Sequence, residues 1–146
     1  MYCLDIYPNF APKYRIMMKK ILLLLVLGTS LLSSCHKKTQ GEKFKEMVTN
    51  ENKKYPARLD KNITIDSVAY DVPANKLTYY YSLVGELDND SLIDKNYASL
   101  YNQLREAVDN SIEMEKYRKF GTTIQYIYLS GSDKKKLAEF SFNSPK

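Results

Sequence analysis

Two rhythms of apolar and polar residues alternate along the chain. In the run 77–85, Leu77, Tyr79, Tyr81 and Leu83 fall on one side and Thr78, Tyr80, Ser82 and Val84 on the other. A period of two is that of a β-strand. With the preceding run 64–72 and the turn-forming Pro73-Ala74-Asn75-Lys76 between them, it predicts a β-hairpin. The period then lengthens. Ile93, Tyr97, Leu100, Leu104, Val108 and Ile112 recur every three or four residues, which predicts an amphipathic helix with a break near Asn110-Ser111. Ser91 and Asp94 have the spacing of a capping box, and Asp88, Asp90 and Asp94 stand where a helix N-terminus favours negative charge. Lys116, Arg118 and Lys119 precede Gly121, giving a cation-rich last turn and a left-handed stop. The short period returns in 122–130 and 134–142, around the turn Gly131-Ser132-Asp133. Ile124, Tyr126 and Tyr128 share one face there; Gln125, Ile127 and Leu129 share the other, which suits a strand near the sheet centre. The expected fold class is α+β: a small single domain, a ββ-α-ββ antiparallel sheet with one long amphipathic helix packed on it in two layers.

Upstream of the strands the pattern is polar. Residues 36–62 are rich in Lys, Glu, Asn and Gln, with Phe44, Met47 and Val48 on one face of a short helix that Pro56 would end. The expected division is a polar tether with a short helix over 35–56 and a globular α+β domain over 57–146.

Further upstream the chain is greasy. Lys19 and Lys20 precede the run Ile21 to Leu27, which continues through Gly28, Thr29 and Ser30 to Leu31 and Leu32. A basic segment, an apolar segment and a small-residue exit make an export signal, and the run is shorter than the ~20 apolar residues that span a bilayer. Its end, Leu32-Ser33-Ser34-Cys35, resembles the lipobox of bacterial lipoproteins, the class processed by signal peptidase II. The resemblance implies a signal peptide over 18–34, cleavage between Ser34 and Cys35, and a diacylglyceryl group with an N-acyl chain on Cys35. At about 0.8 kcal/mol per buried methylene, one acyl chain holds marginally and two or three hold stably. By the sorting rule of such proteins, His36 after the cysteine implies the outer membrane of the cell envelope. Residues 1–17, with Asp5, Pro8 and Pro12, do not fit the leader pattern and read as an over-long gene start.

Composition narrows the chemistry. The formal charge of +5 belongs largely to the leader: from Cys35 onward there are eighteen Lys and Arg against sixteen Asp and Glu. Mixed charge without a basic patch argues against a nucleic-acid partner. The two cysteines, Cys3 and Cys35, flank the greasy run and provide no disulfide framework, and after modification of Cys35 the mature chain has no free thiol. With one histidine, His36, beside the anchor, neither a Cys/His or Ser/His/Asp nucleophilic site nor a zinc site is expected. Carboxylates remain. Glu86, Asp88, Asp90 and Asp94 do not form a calcium loop, because Leu92 and Ile93 stand where a ligand and the glycine belong. An acidic helix start explains them. No catalytic residue, metal or cofactor other than the covalent lipid is expected.

Tyrosine is the compositional oddity: thirteen in all, ten of them after Cys35, and no tryptophan. Tyr79, Tyr80, Tyr81, Tyr126 and Tyr128 on neighbouring strands make a candidate binding surface, since tyrosine offers rigid area and a polar tip at low entropic cost. Tyr80 is the first of them to test. The expected function is that of a non-enzymatic envelope lipoprotein binding a protein or envelope component. A periplasmic inhibitor or immunity lipoprotein is the alternative, ahead of a carboxylate-based hydrolase.

Overall fold

The computed structural model describes residues 37–143. The export signal, the Ser34–Cys35 cleavage site, Cys35 itself and His36 lie outside the described residues. Among the described residues no helix is long and apolar enough to cross a membrane.

Five strands form one sheet in chain order: β1 (Ala57–Asp60), β2 (Ile63–Asp71), β3 (Lys76–Leu83), β4 (Thr123–Ser130) and β5 (Lys136–Phe142). Helix α1 (Gln40–Glu51) precedes the sheet; α2 (Asp90–Asn110) and α3 (Ile112–Lys119) connect β3 to β4. The two expected hairpins, β2–β3 and β4–β5, are antiparallel as predicted. The wholly antiparallel sheet is not found: β3 and β4 pair in parallel, with Lys76 opposite Thr123 and Leu83 opposite Ser130. Length explains the correction. Twenty-one residues of α2 at 1.5 Å each advance about 31 Å, more than the roughly 26 Å of an eight-residue strand. One helical passage therefore returns the chain to the end where β3 began, and β4 can only run beside it in the same sense.

The helix breaks where the sequence places the break. Ser111 ends α2 with extended backbone and starts α3, where its hydroxyl accepts from the Met114 N–H at 3.3 Å. The Arg118 guanidinium holds the two pieces together through the Val108 and Ser111 carbonyls. At the other end the cap is Asn89, whose side chain accepts from the Leu92 N–H at 3.1 Å, and not the expected Ser91–Asp94 pair. Gly121 has the left-handed backbone expected of it, φ +69°.

Helix α1 belongs to the same core. A capping box of Thr39 and Glu42 starts it, and Phe44 and Val48 bury themselves against β2, while Met47 stays exposed. The Phe44 ring meets Tyr70 of β2, Tyr117 of α3 and Phe120 at centroid distances of 5.6, 4.6 and 5.5 Å. Just past α1, the Asn52 side chain accepts the Val68 N–H at 2.9 Å, beside the place where the register of β2 slips between Ile65 and Ser67. The folded body thus extends back to Gln40, and the chain read as tether contributes a core helix.

The turn between β2 and β3 is a keystone. Asn75 takes φ +46°, its amide oxygen accepts from the Tyr70 and Thr122 hydroxyls at 2.6 and 2.8 Å, and its amide nitrogen donates to the Gly121 carbonyl at 3.1 Å. One side chain joins the first hairpin to the end of α3. In the other hairpin the need is closeness: a Cβ on Gly131 would stand 2.4 Å from Val84 and 2.8 Å from the Leu83 carbonyl oxygen.

Candidate binding cleft

Strand alternation sends Tyr79, Tyr81, Tyr126 and Tyr128 to the helix side of the sheet and Tyr80 to the other. Parallel register sets Tyr79 opposite Tyr126 and Tyr81 opposite Tyr128. Four rings then stack in the sequence 79, 126, 81, 128, with successive centroids 5.5, 6.2 and 5.1 Å apart. Offset stacking of this kind adds to what burial of the rings contributes. The five candidate tyrosines are therefore not one surface: four form a row, and Tyr80 lies on the opposite face.

The helices flank this row. Helix α1 lies along β2, and α2 lies along β5, where Tyr97 stacks on Phe140 at 4.6 Å and Tyr101 meets Phe142 at 5.1 Å. At one end of the row, Tyr79 lines a cavity of about 640 Å³ between α1 and α3, walled by Met47 and Glu51 on one side and Ile112, Glu113 and Met114 on the other. Tyr117 closes its depth. At the other end, Tyr128 lines a more apolar cavity of about 300 Å³ under α2, with Leu83, Ile93 and Phe140.

The phenol groups are unusual in their surroundings. Tyr79 and Tyr126 are each 8 % exposed, and neither hydroxyl has a hydrogen-bond partner among the described residues. Every fully covered side-chain nitrogen or oxygen among the described residues does have one. The Tyr79 hydroxyl must therefore keep contact with solvent in the cavity that it lines. Burial holds these phenols in the neutral form. It raises the Tyr128 and Tyr117 pKa values to about 12, and those of Tyr79, Tyr81 and Tyr126 also move up. The Glu51 carboxylate adds to the effect at Tyr79, Tyr117 and Tyr55, and accepts a hydrogen bond from the Tyr55 hydroxyl at 3.1 Å.

Sequence reasoning missed Glu51, Tyr55, Glu113 and Tyr117. They come together only because α1 and α3, about sixty residues apart in the chain, converge on β3. Tyr55, four residues beyond Glu51, was the single local signal.

Two of the four clustered carboxylates are otherwise engaged. Asp88 accepts from the Ser130 hydroxyl at 2.9 Å, Asp90 pairs with Lys135, and the start of α2 is thereby tied to the β4–β5 turn. Among the described residues no three His, Cys, Asp or Glu side chains are grouped to hold a metal ion.

Similarity to known proteins matches this picture at the level of fold. The sequence model of a family described as a domain of unknown function, DUF8479, matches residues 38–138. The structure is similar to the crystal structure of a Pseudomonas aeruginosa protein inferred to be secreted, with TM-score 0.60 and 14 % identity, covering 73 % of this chain and 96 % of that one. No curated protein matches the chain.

Proposed function

The chain belongs to the DUF8479 family, and from that premise we propose that it is an envelope lipoprotein, held at the membrane by acyl chains on Cys35, whose domain docks a protein partner in the tyrosine cleft without catalysis. The observation that carries the docking is the row of four stacked rings with the solvent-reaching, unpartnered hydroxyl of Tyr79 at one end. Tyr81 and Tyr128 of the row are half-buried, and a rigid ring has little side-chain entropy to lose when a partner covers what it still exposes.

The anchor rests on Leu32-Ser33-Ser34-Cys35 and on the start of the folded body. Helix α1 begins at Gln40, five residues after Cys35. Few residues thus separate the folded body from the cysteine in the chain. A partner of this protein is therefore expected near the bilayer, with the outer membrane favoured by His36.

Two experiments test the two halves. Labelled palmitate should enter the wild-type protein and not Cys35→Ala; equal labelling removes the anchor. A photo-crosslinking residue at Met47, on the cleft wall, should trap a defined stoichiometric partner in cells, and the same residue at Tyr80 should not. Trapping at Tyr80 alone would move docking to the other face of the sheet.

A further inference from the structure

We infer that the α1–α3 cavity is a receptor for a cationic side chain, the ammonium of a lysine or the guanidinium of an arginine presented by the protein partner. The inference rests on the docking reading above and names the chemistry that the cleft selects.

Three features converge on it. First, the depth of the cavity is aromatic: Tyr79 and Tyr117 line it and are nearly fully covered. Ring faces attract cations electrostatically, and more strongly where water is excluded. The protein already makes one such contact, with the Lys116 ammonium 5.0 Å from the centre of the Tyr117 ring. Second, the partly covered charge in the cavity is an anion, Glu51, while its other charged lining residues, Glu113, Lys54 and Lys116, are exposed. Third, that anion is uncompensated. Neither Glu51 nor Glu113 forms an ion pair among the described residues, and the Tyr55 hydroxyl is the single hydrogen-bond donor to Glu51.

An anionic occupant fits less well. It would meet the Glu51 carboxylate and the negative faces of the rings, with the Lys116 ammonium already engaged over the Tyr117 ring. A purely apolar occupant would desolvate the carboxylate further and leave it only the Tyr55 hydroxyl. A cation supplies the missing charge, and the Tyr79 hydroxyl can accept a hydrogen bond from its N–H.

The test uses the full chain in detergent and dye-labelled pentalysine, pentaarginine and pentaglutamate, read by anisotropy at low and high salt. The basic peptides should bind, and Glu51→Gln should weaken them about tenfold. Tyr79→Phe, which keeps the ring, should weaken them about threefold, while Glu51→Asp retains most of the affinity. Urea unfolding of each variant separates lost binding from lost folding. Basic-peptide binding indifferent to Glu51→Gln overturns the assignment. If pentaglutamate binds and Met47→Glu abolishes it, the cation assignment is overturned and the cleft survives as a docking site. If no peptide binds and cellular cross-links form from Tyr80 and not from Met47, both are overturned.

Discussion

The two faces of the β3–β4 ribbon carry similar residues to opposite ends. On the helix side, Tyr79, Tyr81, Tyr126 and Tyr128 put aromatic rings under two flanking helices and turn phenols toward a cleft. On the far side no helix of the described residues covers the strands, yet Thr78, Ser82 and Gln125 are nearly fully covered. They are closed over by their own neighbours. Thr78 donates to the Gln125 side chain at 3.1 Å, and Gln125 in turn donates to Glu139 at 2.6 Å. Ser82 donates to Asp66 and accepts from the Lys134 ammonium at 2.8 Å. The buried hydroxyls of the far face, those of Thr78 and Ser82, have partners, whereas the buried Tyr79 and Tyr126 hydroxyls of the helix face have none among the described residues. An open face whose polar groups satisfy each other offers a partner little, whereas a half-covered face with unpartnered phenols offers a great deal.

The contrast is broken most forcefully by removing volume. Leu77, with no exposed surface, packs on the helix side; Leu77→Ala should cost about 2–5 kcal/mol in urea unfolding. Ile127, opposite Tyr80 on the far side and half-buried, should cost about 1 kcal/mol as Ile127→Ala. Equal losses would mean that the far face is as much a core as the helix face.

The next effect belongs to the polar face. Gln125→Ala removes the acceptor of Thr78 and the donor to Glu139 together, and should cost about 1–3 kcal/mol. Thr78→Val combined with Gln125→Leu should cost less than the sum of the two single changes, because the double variant leaves neither partner stranded. Strict additivity would deny that the two side chains act as a unit.

How much of this contrast the sequence discloses follows from which forces are local. Alternation around Tyr79, Tyr80 and Tyr81 predicts that Tyr80 departs from its neighbours, and the turn at Asn75 and the stop at Gly121 are set by backbone chemistry within a few residues. The parallel pairing of β3 with β4 depends on the length of α2 relative to a strand, which no local pattern expresses. The short edge strand β1 has one half-buried and three exposed residues, so it shows no alternation to detect. Helix α1 looks like tether because Phe44 and Val48 are the two large apolar side chains it buries, too few to stand out among lysines and glutamates. The cavity around Glu51 fails for the same reason as the sheet order: its walls come from distant stretches that only the assembled fold brings together.

A pH titration sharpens the account of the tyrosines. Tyr117 and Tyr128, with pKa values pushed to about 12 by burial, stay neutral in the folded protein when the unfolded chain already ionises near 10. The unfolded state then binds fewer protons, so stability is full below pH 10 and falls as pH rises toward 12. Tyr128→Phe should flatten that alkaline loss, read as the urea midpoint between pH 9 and 11.5. An unchanged slope would place the buried phenols elsewhere.

The smallest effect isolates what organises the polar face. Lys136 pairs with Glu139 at 2.6 Å, and this hydrogen-bonded ammonium is the first cause of the lowered Glu139 pKa. Both side chains are more than a third exposed, so Lys136→Ala should cost no more than about 0.5 kcal/mol and the loss should shrink in high salt. Gln125 would still hold Glu139 from the covered side. A loss above about 1 kcal/mol that salt does not reduce would reverse the order of importance. The ion pair would then be positioning the amide, and the far face would depend on surface charge where the geometry has it depending on hydrogen bonds beneath.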